Sequence, residues 1–148
     1  MTEIVGTFEN CDTIEKVTLP EGLKIIGENA FYGCSSLKAI TIPSTVTKIG
    51  QKAFIYCYSL ESIVIPDNVT EMESQAFLGC SKLTSVKLSK NLTALGNNIF
   101  HSCDSLESVE LPEIIFYGFE NKTDTDCYKL HRYMNEFYPR KKLPAIYN

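Results

Sequence analysis

The chain has 148 residues, of which 44% are hydrophobic, and this suits one domain with a core of its own. The formal net charge of −4 argues against nucleic acid or an anionic membrane surface as the partner of the whole molecule. No run approaches the roughly 18 consecutive apolar residues that a membrane helix needs, so membrane insertion is not expected. The first residues also lack the basic and apolar regions of a secretory signal.

Phenylalanine and cysteine recur together along most of the chain. The cysteines are Cys11, Cys34, Cys57, Cys80, Cys103 and Cys127, and the phenylalanines three residues before the first five are Phe8, Phe31, Phe54, Phe77 and Phe100. Successive cysteines are 23 residues apart except the last pair, which is 24 apart. A fixed period between about 20 and 50 residues is typical of stacked supersecondary units that bury their apolar faces against one another.

Each unit divides into three segments, taken in chain order. The segment A-F-x-x-C is too short for a full helix, and we expect one helical turn with its Phe inserted between layers. The segment L-x-x-I-x-I-P alternates apolar and polar residues, which predicts a short strand that ends at proline. Two more apolar columns, V-x-x-I followed in most units by glycine, close the repeat. Strands of successive units are then expected to pair into one parallel sheet, with the helical turns and loops on the opposite face.

These columns resemble the BspA-type leucine-rich repeat, whose pattern is matched almost without a break from Phe8 to Pro112. The resemblance covers about 70% of the chain and implies a leucine-rich-repeat solenoid. It also implies a role in adhesion, because the family is best known from cell-surface proteins of anaerobic bacteria and parasitic protists.

The two ends of the repeat region differ from each other. We expect residues 1–112 to form five stacked repeats with a partial N-terminal repeat, and residues 113–148 to form a degenerate last repeat and a helical cap within the same domain. Spacing of apolar residues at i, i+3, i+7 and i+10 predicts the capping helix over residues 126–138. The first layer looks uncapped, which leaves three alternatives: a fragment of a longer array, an end-to-end homo-oligomer, or a protein whose first half-turn serves as its own cap.

Catalysis, metals and cofactors are not expected. Cysteines 23 residues apart form a ladder along the stack rather than a cluster around one metal ion, so we interpret them as free, structural thiols. The two histidines, His101 and His131, lie in different columns with no nucleophile placed beside both.

Two surfaces are candidates for binding another protein. The outward positions of the strands are Lys16, Thr18, Thr41, Ser62, Val64, Ser85, Lys87 and Glu110. The basic, tyrosine-rich C-terminal end offers Tyr117, Tyr128, Lys129, Arg132, Tyr133, Arg140, Lys141 and Lys142, a composition that suits an acidic partner. The plain alternatives are that the strand positions are merely solvated and that the C-terminal aromatics fill the cap.

The sequence therefore predicts a non-catalytic protein-interaction module. It leaves open a cell-surface adhesion fragment of a longer protein and an intracellular inhibitor of one specific protein. We expect a cytoplasmic location if the chain is complete and the cell surface if it is part of an exported protein. The identity of the partner does not follow from the residues.

Overall fold

The computed structural model describes residues 1–110, which form ten short parallel strands joined by tight turns. The strands are β1 Glu3–Ile4, β2 Lys16–Thr18, β3 Ile25–Ile26, β4 Ala39–Thr41, β5 Lys48–Ile49, β6 Ser62–Val64, β7 Glu71–Met72, β8 Ser85–Lys87, β9 Ala94–Leu95 and β10 Ser108–Glu110. Each layer of the solenoid contributes one three-residue strand and one two-residue strand. The capping helix predicted over 126–138, and the whole of 113–148, lie outside the described residues.

The three-residue strands lie where the L-x-x-I-x-I-P pattern predicts them. In β4, β6 and β8 the central residues Ile40, Ile63 and Val86 are buried, because alternation points them into the stack. Pairing is parallel with a register of one repeat, as in Val17 with Ile40 and Ile63 with Val86. The prediction of a parallel-strand solenoid is confirmed.

The two-residue strands form a second sheet, which the sequence analysis did not predict. They pair in the order β1-β3-β5-β7-β9, with Ile26 beside Ile49 and Met72 beside Leu95. Two residues are too few to show a period-two pattern, so the V-x-x-I segment gave no strand signal. The ladder forms because stacking in register places each backbone group opposite its equivalent one layer away. The expectation of a sheet on one face only is therefore corrected to strands on two faces, which pair into three sheets within residues 1–110: β1-β3-β5-β7-β9, β2-β4 and β6-β8-β10.

The A-F-x-x-C segments form hydrogen-bonded turns rather than a turn of α-helix. The Phe31 N–H donates to Ala53 O of the next layer at 2.8 Å, while the Cys34 N–H donates back to Phe31 O at 3.2 Å. Left-handed backbone at Asn29 (φ 55°) and Gly33 (φ 69°) reverses the chain on either side of the phenylalanine. A helix would direct these N–H groups to carbonyls within its own segment, whereas here every second one bonds to the neighbouring layer.

The phenylalanines form the centre of the core, inserted between layers as the spacing predicts. Ring centroids lie 5.0–5.1 Å apart from Phe8 to Phe77 and 5.9 Å apart for Phe77 and Phe100, with interplanar angles of 3–19°. The four rings from Phe31 to Phe100 are fully buried, and Leu37 and its equivalents pack around them. One continuous aromatic stack thus runs through the described layers.

Candidate interaction surface

The outer face of the three-residue strands is formed by the residues that alternation predicts. Lys16, Thr18, Thr41, Ser62, Val64 and Lys87 are exposed, and Ser85 is half-buried. Glu110 lies in β10 and pairs in register with Lys87. Val64 is the large hydrophobic residue of this face, with 60% of its surface exposed. The structure thus brings the predicted positions into one row.

The row is not uniform, because the backbone ladder is interrupted between β4 and β6. Among the described residues, β2 pairs with β4 and β6 pairs with β8, but β4 and β6 form no ladder. We call the gap between β4 and β6 the seam. Beside the seam, the Glu61 N–H donates a hydrogen bond to Lys38 O at 3.3 Å. A shallow depression of about 410 Å³ lies over this seam, and a second of about 490 Å³ lies over β6, β8 and β10. Ser62, Ile63 and Val64 line both, so β6 is the centre of the face.

A network of ion pairs lies on the second sheet. Lys48 Nζ lies 2.7 Å from one Glu73 carboxylate oxygen and 3.5 Å from Glu71. The other Glu73 oxygen accepts a hydrogen bond from the Gln51 N–H at 2.9 Å. The Lys48 hydrogen bond lowers the pKa of Glu73 and, reciprocally, raises that of Lys48. All three side chains are partly exposed, so this network contributes little to stability.

The thiols are held in positions that suppress their chemistry. Cys34, Cys57, Cys80 and Cys103 each donate an S–H hydrogen bond, at 2.9–3.2 Å, to the carbonyl of the phenylalanine in the preceding layer. Burial raises the pKa of Cys34 to about 11 and raises those of Cys57 and Cys80 as well. No disulfide forms among the five cysteines of residues 1–110. Because the thiolate is the reactive form, Cys34, Cys57 and Cys80 are poor nucleophiles and poor metal ligands.

Three tyrosines converge on the turn segments, and the sequence analysis missed this. The Tyr32 and Tyr56 rings meet edge to face at 5.9 Å, and Tyr56 and Tyr58 stack at 5.8 Å. Comparing residues column by column marks Tyr56 and Tyr58 as departures from the repeat, although it does not show that the rings meet. Tyr56 stands where neighbouring repeats have Gly33 and Gly79, and Tyr58 stands where other repeats have serine or aspartate.

The predictions about the C-terminal end, metal sites and membrane helices can be compared with residues 1–110 only. Tyr117, Tyr128, Lys129, Arg132, Tyr133, Arg140, Lys141 and Lys142 lie beyond residue 110, outside the described residues. Within residues 1–110, no three His, Cys, Asp or Glu side chains come together as a metal site would require. In the same part of the chain, no helix has the length and apolarity to cross a membrane.

Stacked 23-residue layers, a phenylalanine core and parallel ladders define a leucine-rich-repeat solenoid. A family model described as a BspA type leucine rich repeat region matches residues 5–131 in six copies. The chain belongs to the BspA-type leucine-rich-repeat family. Membership implies a protein-interaction or surface repeat module, and the family and its solenoid neighbours are typically non-catalytic.

Solved structures of bacterial repeat proteins are similar to this chain. The T. pallidum leucine rich repeat protein TpLRR is 33% identical over 75% of this chain and 52% of its own, with a TM-score of 0.73. A leucine-rich repeat protein from Bacteroides ovatus is 29% identical over 95% of this chain and 39% of its own, with a TM-score of 0.69. A leucine rich cell surface protein from Faecalibacterium prausnitzii is 25% identical over 66% of this chain and 32% of its own, with a TM-score of 0.57.

This chain therefore spans about half or less of the length of these three proteins. No curated protein matches it.

Proposed function

We propose that the chain is a non-catalytic protein-binding module that contacts its partner through the outer face of the three-residue strands, with the basic C-terminal end as a second contact region. The observation that carries the proposal is the exposed row centred on β6, where Val64 lies between two shallow depressions. Val64 lies in register with Lys87. The face therefore presents an exposed aliphatic side chain, which a partner can bury without desolvating a charge, beside a lysine. Membership of a repeat family associated with protein binding supports the same assignment.

The decisive variant is Val64→Asp, because it places a charge at the centre of the face. Thr70→Asp is its matched control: it introduces the same charge at an exposed position beside the second sheet. The wild-type chain should capture partner proteins from the native host. Val64→Asp should weaken the binding of those proteins at least about tenfold or abolish it, whereas Thr70→Asp should retain it. Circular dichroism and denaturation midpoints should show that both variants are folded.

The same capture distinguishes the two contact regions. Reversal of charge at Arg140, Lys141 and Lys142 should weaken capture if the C-terminal end contributes, whereas Val64→Asp tests the strand face alone. Equal capture by the wild type, Val64→Asp and Thr70→Asp would refute the strand-face proposal.

Adhesion at a cell surface is the second candidate, and one observation favours it: the F. prausnitzii neighbour is named a cell surface protein. The competing candidate, an intracellular inhibitor of one protein, is supported by the free thiols, which suit a reducing compartment. Antibodies raised against the chain should label intact host cells, and protease treatment of those cells should remove the signal, if adhesion is correct. Labelling only after lysis would support the inhibitor.

A further inference from the structure

The tyrosine cluster formed by Tyr32, Tyr56 and Tyr58 is a surface feature that the fold does not require. Residues that build a repeat fold recur in every layer, as the phenylalanines do. The tyrosines do not recur: Tyr32 shares its column with Ile55 and Leu78, and the others replace glycine and serine. Three such departures in adjacent layers, in ring contact with one another, indicate a role other than folding.

Tyr56 also occupies an unfavourable backbone conformation. Its φ is +60°, a left-handed value that is easy for the glycines in its column and costly for an aromatic residue. Its ring extends over the next layer, since a Cβ added at Gly79 would lie 2.7 Å from Tyr56 Cδ1. Glycine there leaves room for the ring, so the aromatic surface continues across the layers. The same left-handed conformation recurs in this column at Asn10 and Ser102, so it belongs to the repeat, and what is particular to this layer is the aromatic side chain at that position.

The chemistry of the cluster selects a particular kind of ligand. Within the described residues the three phenol hydroxyls have no hydrogen-bond partner, and Tyr58 is 47% exposed. The neighbours of Tyr58 along its column, Ser35 and Ser81, are half-buried hydroxyl residues. The surface is therefore aromatic and rich in hydroxyl donors, and the column of Tyr58 carries serine in the two adjacent layers. It suits a ligand with compact apolar rings, exposed carbonyl acceptors and few donors of its own.

We infer that the tyrosine cluster binds a proline-rich segment of a partner protein in the polyproline II conformation. Such segments expose proline rings and carbonyls but lack backbone N–H groups at proline, and aromatic-lined surfaces are their usual receptors. One turn of polyproline II spans about 9.3 Å, and two solenoid layers span about 9.6 Å. Prolines three residues apart would thus meet equivalent positions two layers apart, such as Tyr32 and Leu78, with Tyr56 between them.

This inference goes beyond the proposal for the strand face, because it concerns another surface and a defined ligand chemistry. The test uses the full chain carrying ring-labelled tyrosine, titrated by NMR with a ten-proline peptide. A ten-residue Gly-Ser peptide is the reference for flexible chains, and a neutral glucose oligomer is the reference for sugar rings. Decaproline should shift the resonances of the three rings and bind at least about tenfold more tightly than the Gly-Ser peptide.

Tyr58→Ser and Tyr56→Gly are the informative variants, because each installs the residue that neighbouring repeats carry. Both should keep or raise the denaturation midpoint while weakening decaproline binding at least about tenfold. Tyr58→Phe removes one hydroxyl donor and should weaken binding by about two- to tenfold. Val64→Asp should leave decaproline binding unchanged, so this inference and the strand-face proposal can fail independently.

Three results would overturn the inference. They are decaproline binding no tighter than the Gly-Ser peptide, wild-type affinity in Tyr58→Ser and Tyr56→Gly, and ring shifts caused by the glucose oligomer but not by decaproline. The last result would assign the cluster to carbohydrate.

Discussion

At the scale of single residues, stacking overrides intrinsic backbone preference. Each layer has two left-handed positions flanking its phenylalanine, and several are held by residues other than glycine, including Lys52 (φ 57°) and Gln75 (φ 62°). A left-handed residue with a side chain costs roughly 1–2 kcal/mol. The cost is offset because this conformation lets alternate N–H groups reach the next layer, as Phe54 N–H does at Ala76 O. Conformation is therefore dictated by the position in the layer.

The phenylalanine stack should dominate stability at the residue scale. Phe54 is fully buried between two parallel rings, so Phe54→Ala should lower the free energy of unfolding by about 3–5 kcal/mol through lost transfer energy and a cavity. Phe8→Ala is the matched control: Phe8 is only partly buried and stacks on Phe31. In urea denaturation, we expect Phe8→Ala to lower the free energy of unfolding by less than half as much as Phe54→Ala does. Equal costs, or a cost below about 1 kcal/mol for Phe54→Ala, would contradict a layered aromatic core.

At the scale of elements, close approach between layers depends on the glycine that follows the two-residue strands. A Cβ on Gly50 would lie 2.7 Å from the carbonyl carbon of Gly27, and one on Gly96 would lie 2.2 Å from Ser74 N. These are backbone atoms, which cannot move without separating the layers. Glu73 occupies the same column and points its carboxylate toward Lys48 and the Gln51 N–H.

Gly50→Ala should therefore lower the free energy of unfolding by about 2–3 kcal/mol, as overpacking against backbone does. Gly22→Ala separates this effect from backbone strain, because Gly22 has φ +94° and nothing within 4 Å of an added Cβ. It should cost about 1 kcal/mol from conformation alone. Thermal or urea denaturation of the two variants measures the difference. A Gly22 variant as damaging as the Gly50 variant would mean that layer contact is not limiting.

At the scale of the whole molecule, the thiol ladder links the layers and gives stability a pH dependence. Burial keeps Cys34, Cys57 and Cys80 protonated, since it raises the pKa of each thiol, that of Cys34 to about 11 from an ordinary value near 9. The unfolded chain releases these protons above about pH 9, whereas the folded chain retains them. The stabilisation is thus complete below about pH 9 and is lost as the pH rises toward the folded-state pKa.

We therefore expect alkaline destabilisation between pH 9 and pH 11 under reducing conditions. Each retained proton contributes a slope of about −1.4 kcal/mol per pH unit to the free energy of unfolding. Urea denaturation of the wild type and of Cys57→Ala at several pH values in this range isolates one thiol from the other groups that titrate there. The variant should be less stable at neutral pH but lose stability less steeply. Parallel slopes would show that Cys57 does not stay protonated in the folded protein.

The sequence by itself determined the layer, the core and the strand face. Phe54, Cys57 and Ile63 recur at fixed offsets, and a recurring column must bury the same residue type in every layer if the layers stack. Alternation within three residues then placed Ser62 and Val64 outward. These inferences need only local periodicity and the demand that apolar surface be buried. The same spacing predicted the ladder of thiols along the stack that Cys34, Cys57 and Cys80 form.

Only the tertiary structure decided the features that arise between layers. The second sheet and the layer-to-layer turn bonds of Phe31 depend on backbone groups one repeat apart, and hydrophobic patterns carry no signal for them. The break between β4 and β6 is likewise a property of the pairing rather than of either strand. The tyrosine cluster depends on the approach of Tyr32 in one layer to Tyr56 and Tyr58 in the next. The column of a residue tells where it lies in its layer. Whether two rings touch depends on the direction of their side chains, and only the folded chain fixes that direction.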